Sequence, residues 1–124
     1  MNTILVSGSN VEVNVSVYLY LDTSYPSPNM WIAYCPSLNV VGYGYGQEAA
    51  KKDFEFVLNQ YLAEQLKNHT LEEDLHHFGW HKSHNSFDEP KATTLASRDK
   101  VFSDVLNAPS YSKINVATTI PAFA

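Results

Sequence analysis

Apolar and polar residues alternate near the start of the chain with the period of a half-buried β-strand. From Val11 to Leu21 every odd position is apolar, and the even positions before residue 18 are polar. Tyr18 and Tyr20 stand on the otherwise polar face, which indicates that another part of the protein covers that end of the strand. A shorter strand over residues 3–7 precedes it across a glycine-containing turn, so we expect a β-hairpin to begin the fold.

The rest of the chain predicts one more strand, three helices and a last strand. From Gln47 the apolar residues recur with the spacing of an amphipathic helix, after a run in which glycine alternates with tyrosine. Thr70 and Glu73 form a capping-box sequence that opens a second, short helix, and Ser97 is a candidate cap for a third. The predicted bounds are Met30–Cys35 and Ile114–Ile120 for the strands, about Gln47–Lys67 and about Thr70–Gly79 for two of the helices, and residues 25–29 for a proline-rich loop.

The predicted order of elements is β-β-β-α-α-α-β, which is typical of an α+β fold. We expect an antiparallel-rich sheet of about four strands with the helices packed on one face. A chain of 124 residues can bury roughly two thirds of its unfolded surface in one core, so residues 1–124 are predicted to form a single domain. Within it we expect a core of about residues 1–80 and a C-terminal helix and strand extension over about residues 85–124.

The cysteine content and the apolar runs indicate a cellular compartment. Cys35 is the single cysteine, so no internal disulfide can form and a reducing compartment is expected. The N-terminus lacks the basic region and long apolar stretch of a secretory signal, and no apolar run is long enough to predict a transmembrane helix. These features predict a cytoplasmic protein without a membrane partner.

The distribution of charge argues against direct nucleic-acid binding and permits association with a basic partner. The chain has eight basic residues, of which Arg98 is the single arginine, and its net charge is 8 − 13 = −5. The basic patch expected of a nucleic-acid-binding protein is missing. Residues 47–91 hold most of the acidity, with five basic and nine acidic residues giving 5 − 9 = −4. A concentrated negative charge favours association with a basic macromolecule.

The sharpest metal-like signal is a cluster of histidines within sixteen residues. The cluster consists of His69, His76, His77, His81 and His84. His77 and His81 have the i, i+4 spacing that places two imidazoles on one face of a helix. Gly79 interrupts that helix, and the glutamate of the metalloprotease helix motif is missing. The pattern favours exposed or interface histidines, and a metal- or ligand-binding protein or enzyme built on His69–His84 is the alternative.

Two weaker patterns predict structure rather than chemistry. Cys35 lies within an apolar strand, which predicts a buried and inert thiol rather than a nucleophile. The glycines between residues 42 and 46 precede a helix, where backbone amides can bind phosphate, but their spacing matches neither a dinucleotide fingerprint nor a P-loop. A tight turn with Gly46 as the helix N-cap is the better interpretation. We therefore predict no catalytic residue.

One stretch of the chain resembles a known family. An aromatic-rich strand that ends in proline and a leucine, followed by a glycine turn and an amphipathic helix, is similar to the core of the HicB-like antitoxins of type II toxin–antitoxin systems. The similarity covers about residues 11–66. The residues that carry it are Trp31, Tyr34, Pro36, Leu38, Gly44, Glu48 and Ala50. Gly46 stands where the family usually has a threonine cap.

The resemblance implies a partly formed ribonuclease H-like fold without that enzyme's metal-binding carboxylates. It implies a non-enzymatic protein, with no cofactor, that neutralises a small, basic, HicA-like toxin that cleaves mRNA. We also expect a homo-oligomer formed through a sheet edge or an aromatic patch. Residues 85–124 resemble neither of the family's usual DNA-binding segments, so binding to operator DNA is not carried over. An orphan protein-interaction domain, with this extension serving another partner, is a further alternative.

Overall fold

Within residues 2–23, 29–108 and 110–121, which the computed structural model describes, the chain forms seven strands and four helices. The strands are β1 (Thr3–Val6), β2 (Asn10–Leu21), β3 (Met30–Cys35), β4 (Val40–Tyr45), β5 (His81–Ser83), β6 (Ser86–Asp88) and β7 (Tyr111–Pro121). The helices are α1 (Gln47–Lys67), α2 (Leu71–His77), α3 (Ala92–Arg98) and α4 (Lys100–Leu106).

All seven strands belong to one antiparallel sheet. Along one path the order is β4-β3-β2-β1-β6-β5, and β7 pairs with the remaining edge of β2. The predicted α+β class is confirmed, whereas the expected number of about four strands is too small. The sequence does not predict β4 as a strand, because its alternating glycines are typical of a turn. It does not predict the β5–β6 hairpin, because these strands consist mostly of polar residues without a regular apolar alternation.

The larger core lies on the face of the sheet that α1 and α2 cover. The odd-numbered residues of β2 from Val11 to Leu19 point into it, as their alternation predicts, and pack with Phe54, Leu58 and Leu62 of α1. Helix α1 lies close to β4 because Gly42 and Gly44 carry no side chain there. A Cβ atom on Gly42 would lie 2.4 Å from the backbone nitrogen of Phe54, so even alanine would push the helix away.

Helices α3 and α4 cover part of the opposite face, so the expectation of helices on one face is wrong. Tyr18 and Tyr34 point to that side and pack with Phe102 of α4. The rings of Tyr18 and Phe102 meet edge to face with their centroids 4.7 Å apart. The tyrosines on the polar face of the predicted strand signalled this second layer. The helical spacing of the later apolar residues could not show which face they would cover.

The predicted bounds of the longest helix and of the third strand agree with α1 and β3. The last strand is longer than predicted, because β7 begins at Tyr111 rather than at Ile114. The predicted proline-rich loop lies outside the described residues, apart from Asn29. None of the described helices combines the length and the apolar character that crossing a bilayer requires.

The helix starts differ from the predicted caps. Ser97 lies inside α3, and the predicted third helix is divided at Asp99, whose Oδ1 accepts a hydrogen bond from the backbone N–H of Phe102 at 3.1 Å. Thr70 does stand at the N-cap position of α2. Its hydroxyl donates to Oε1 of Gln65 at 2.6 Å, so the predicted capping box does not form.

Candidate functional site

The histidine cluster faces solvent. All five imidazoles, from His69 to His84, are exposed. They are spread over the turn after α1, the end of α2 and the β5–β6 hairpin. Across the described ranges, no three histidine, cysteine, aspartate or glutamate side chains come together as a metal-binding group. The geometry therefore gives no support to the alternative that builds a metal centre on these residues.

Cys35 is fully buried beneath α1, as its place in the apolar strand predicts. Its Sγ lies 3.3 Å from Oγ of Ser37. Burial, as the largest cause, raises the pKa of the Cys35 thiol to about 12. The thiol is therefore protonated at neutral pH and is a poor nucleophile.

Strand β2 is the point at which the sheet divides. One edge of β2 pairs with β7 along nearly its whole length. The other edge pairs first with β1, at residues 11–13, and then with β3, at residues 18–21. Asn10 and Ser7 exchange backbone hydrogen bonds, so the even-numbered residues of β2 direct their backbone groups to this divided edge. The backbone N–H of Ser16 consequently points into the gap between β1 and β3.

The carboxylate of Glu89, just after β6, fills this gap. Its Oε2 accepts hydrogen bonds from the backbone N–H of Ser16 at 3.1 Å and from Oγ of Ser37 at 2.6 Å. Its Oε1 accepts from Oγ of Ser16 at 2.8 Å and from Nδ2 of Asn2 at 3.0 Å. Hydrogen bonds to an ionised acceptor are stronger than those between neutral groups. Glu89 therefore ties β2 to the segments before β1 and after β3 at the point of division.

The hydrogen bonds around Glu89 indicate a structural joint rather than a general base. A carboxylate has about four acceptor positions, and the four donors from Asn2, Ser16 and Ser37 match them. The joint continues into the larger core, because the carbonyl oxygen of buried Ser37 accepts a hydrogen bond from Nε1 of Trp80 at 2.8 Å. We call this set of five residues, Asn2, Ser16, Ser37, Trp80 and Glu89, the Glu89 joint.

A polar cleft of about 310 Å³ opens beside the Glu89 joint, on the face of the sheet that carries α3 and α4. Lys91, Lys113 and Asn115 line it together with three residues of the joint, Asn2, Ser16 and Glu89. No pattern in the sequence predicted these residues as a site. The available signals were a serine in the middle of an alternating strand and a glutamate just before a proline. Ser16 and Glu89 are 73 residues apart, and a single sequence carries no sign that they meet.

Most of the residues behind the HicB-like resemblance occupy packing positions. Trp31, Tyr34, Pro36, Leu38, Gly44 and Ala50 are buried or partly buried, whereas Glu48 is exposed in the first turn of α1. Gly46 is the N-cap of α1, with φ = 101° and no side-chain cap, as predicted for a glycine at this position. The buried residues of this set help to pack α1 against the sheet, and the outer face of α1 remains exposed to solvent.

The outer surface of α1 and α2 carries a net negative charge. Residues 47–77 contain three lysines and seven carboxylates, which gives 3 − 7 = −4. In the part of the chain that the structure describes, ion pairs join Lys82 to Glu72 at 2.5 Å and Lys100 to Asp104 at 3.2 Å. No lysine of α1 pairs directly with a carboxylate within these ranges. We call the exposed side of α1 and α2 the acidic helical surface.

Comparisons with known proteins identify no relative of this chain. No family model, no curated protein and no solved structure matches it. The resemblance to HicB-like antitoxins therefore rests on the motif residues alone.

Proposed function

We propose that this chain is a HicB-like antitoxin, or a protein derived from one, that binds and neutralises a small, basic, HicA-like toxin. In this proposal the chain is not an enzyme, and it acts in the cytoplasm by covering the surface with which the toxin binds mRNA. The observation that carries the proposal is the acidic helical surface, with its net charge of −4 over residues 47–77. A protein that binds RNA presents positive charge, so an acidic surface can compete with RNA for it.

The packing of α1 supports this role because it makes the acidic surface rigid. Phe54, Leu58 and Leu62 anchor α1 in the larger core, and Gly42 and Gly44 allow its close contact with β4. A surface that is already ordered loses little conformational entropy when a partner binds. The carboxylates on its outer side are therefore presented to a partner at fixed spacings.

The experiment is a titration of RNA cleavage with the full chain. The toxin to be tested is the small basic protein encoded beside the gene for this chain, purified and assayed on an mRNA substrate. We expect cleavage to stop near one equivalent of the chain and inhibition to weaken as salt rises, because surface electrostatic attraction is screened. Cleavage that persists with excess chain, or the absence of a gene for such a neighbour, would contradict the proposal.

A matched pair of charge reversals tests whether the acidic helical surface is the binding surface. Glu73→Lys changes an exposed carboxylate of α2, and Glu12→Lys changes an exposed carboxylate on the opposite face of the sheet by the same amount of charge. We expect Glu73→Lys to weaken binding about tenfold or more and Glu12→Lys to change it little. Calorimetric titration measures both, with circular dichroism to verify folding. Equal losses would show that net charge alone matters.

A further inference from the structure

β7 is the longest edge strand of the sheet. It pairs with β2 over eleven consecutive positions without a bulge, from Asn10 opposite Pro121 to Tyr20 opposite Tyr111. Among the described residues, no strand lies on its outer side. It is about twice the typical strand length of five to six residues. The unpaired backbone groups of such an edge form a template for another strand.

β7 lacks most of the features by which edge strands avoid pairing. Lys113 is its one charged residue, and Pro121, its one proline, is at its end. The backbone N–H and C=O groups of the even-numbered β2 residues point to the divided edge, so those of the odd-numbered residues point to β7. The odd-numbered residues of β2 pair with even-numbered residues of β7, whose backbone groups therefore point inward to β2. The outward N–H groups therefore belong to Tyr111, Lys113, Asn115, Ala117 and Thr119.

Helix α1 flanks this edge with an uncharged stripe. Oγ1 of Thr118 in β7 donates a hydrogen bond to Oδ1 of Asn59 in α1 at 3.1 Å. About one helical turn away, the large apolar side chain of Phe56 is 62% exposed. Phe56, Asn59, Gln60 and Ala63 line one shallow depression, with Glu64 and Lys67 toward the end of the helix. The open strand and the exposed apolar side chain thus lie on the same side of the molecule.

We propose that the outer edge of β7 binds the same edge of a second copy of this chain, antiparallel and about a two-fold axis. Centred on Val116, the two strands overlap along their full length and form one continuous sheet. This pairing provides partners for the outward backbone groups of both strands. It also places the two α1 helices side by side on one face, so that Phe56 packs against the helix of the other copy.

The charges on this edge fit a second copy better than a basic toxin. In the two-fold arrangement the two Lys113 side chains lie about 20 Å apart along the strands, because each is three residues from the centre. A basic partner would instead meet Lys113 and a strand without any carboxylate. Asn59, Gln60 and Ala63, which line the depression together with Phe56, are uncharged, as is common at the centre of a protein interface. This dimer does not depend on the proposed function, because it is argued from the backbone groups of β7 and from Phe56 rather than from the carboxylates of the acidic helical surface.

Amide hydrogen exchange on the full chain tests the proposal residue by residue. In an isolated chain the N–H groups of Ile114 and Val116 are protected by β2, whereas those of Asn115 and Ala117 exchange quickly. In the dimer both sets are protected, and protection of the outward set rises with protein concentration. We expect at least about tenfold slower exchange of the outward set at dimeric concentrations. Unprotected outward amides at every concentration would overturn the proposal.

Two matched pairs of variants, measured by light scattering, test the same interface. Ala117→Pro removes an outward N–H and leaves the hydrogen bonds to β2 intact, whereas Ala117→Val keeps that N–H. Phe56→Gln removes the exposed apolar side chain beside the edge, and Val101→Gln changes one of similar exposure on α4. We expect the mass of a dimer for Ala117→Val and Val101→Gln, and at least a tenfold weaker dimer for Ala117→Pro and Phe56→Gln. A dimer unaffected by both Ala117→Pro and Phe56→Gln would overturn the proposal.

Discussion

The two faces of the sheet differ in how completely they are buried. Among the residues that the structure describes, nineteen buried ones form one continuous core under α1 and α2, which accounts for most of the apolar burial. On the other face, six of the described apolar residues are buried together with α3 and α4, and the face is open and polar around the Glu89 joint. Since burial of apolar surface is the main stabilising term, the first face should determine the stability of the whole domain. We therefore expect the second layer to open locally before the first.

The largest expected effect tests this difference directly. Phe54 and Phe102 are both fully buried, one in each core. Replacing either with alanine should lower the free energy of unfolding of the element that it anchors by about 3–5 kcal/mol. We expect Phe54→Ala to lower the free energy of global unfolding by this amount. Phe102→Ala should chiefly lower the free energy of opening of α3 and α4.

Urea unfolding and amide hydrogen exchange distinguish the two outcomes. In Phe102→Ala the amides of α4, such as those of Ser103 and Asn107, should lose protection while those of α1 keep it. In Phe54→Ala both sets should lose protection together. An equal loss of global stability in the two variants would mean that both faces unfold as one cooperative unit and do not differ in stability.

A smaller effect is expected at the Glu89 joint, the polar part of the second face. Glu89→Gln keeps the shape of the side chain but replaces one acceptor oxygen by an NH₂ group. That group faces donors, so at least one hydrogen bond is lost and a partly buried donor loses its acceptor. We expect a loss of about 2 kcal/mol in the free energy of unfolding.

The control for this change is Asp88→Asn, which neutralises the neighbouring, half-buried carboxylate in β6. Chemical denaturation should show a clearly larger loss for Glu89→Gln than for Asp88→Asn. The amide of Ser16, which donates to Glu89, should also exchange faster in Glu89→Gln. Equal losses would indicate that removing negative charge, rather than breaking the joint, destabilises the protein.

The sequence predicted the first face of the sheet better than the second. The alternation in β2 and the helical spacing from Gln47 predicted the first face, because each pattern is local and one-sided. The tyrosines at positions 18 and 20 predicted a covering layer but not its identity. Strand β4 was missed because its glycines, which allow contact with α1, have the composition of a turn. The Glu89 joint could not be predicted, since its residues meet only through the topology of the sheet.

The smallest effect compares one tyrosine on each face. The hydroxyl of Tyr61 in α1 donates to Asp74 in α2, and that of Tyr34 in β3 donates to Oδ2 of Asp99 at 2.5 Å, at the start of α4. Burial, followed by the hydrogen bond to the carboxylate, raises the pKa of both tyrosines well above the usual value near 10. A group whose pKa is raised by folding stabilises the protein below its unfolded pKa. This contribution is lost as the pH rises, so stability should fall above about pH 10.

Tyr61→Phe and Tyr34→Phe should each remove part of this alkaline dependence and cost about 1 kcal/mol at neutral pH. The two differ in where the loss occurs: Tyr61→Phe should lower the global urea midpoint, whereas Tyr34→Phe should loosen mainly α3 and α4. Tyr45→Phe is the control. Tyr45 is exposed, so the loss of its hydroxyl group should change neither the urea midpoint nor the local stability of α3 and α4. Urea midpoints measured between about pH 8 and pH 11 test whether stability falls as the pH rises. An alkaline slope identical in all three variants would show that neither hydrogen-bonded tyrosine is linked to folding, and the two faces would then be alike in this respect.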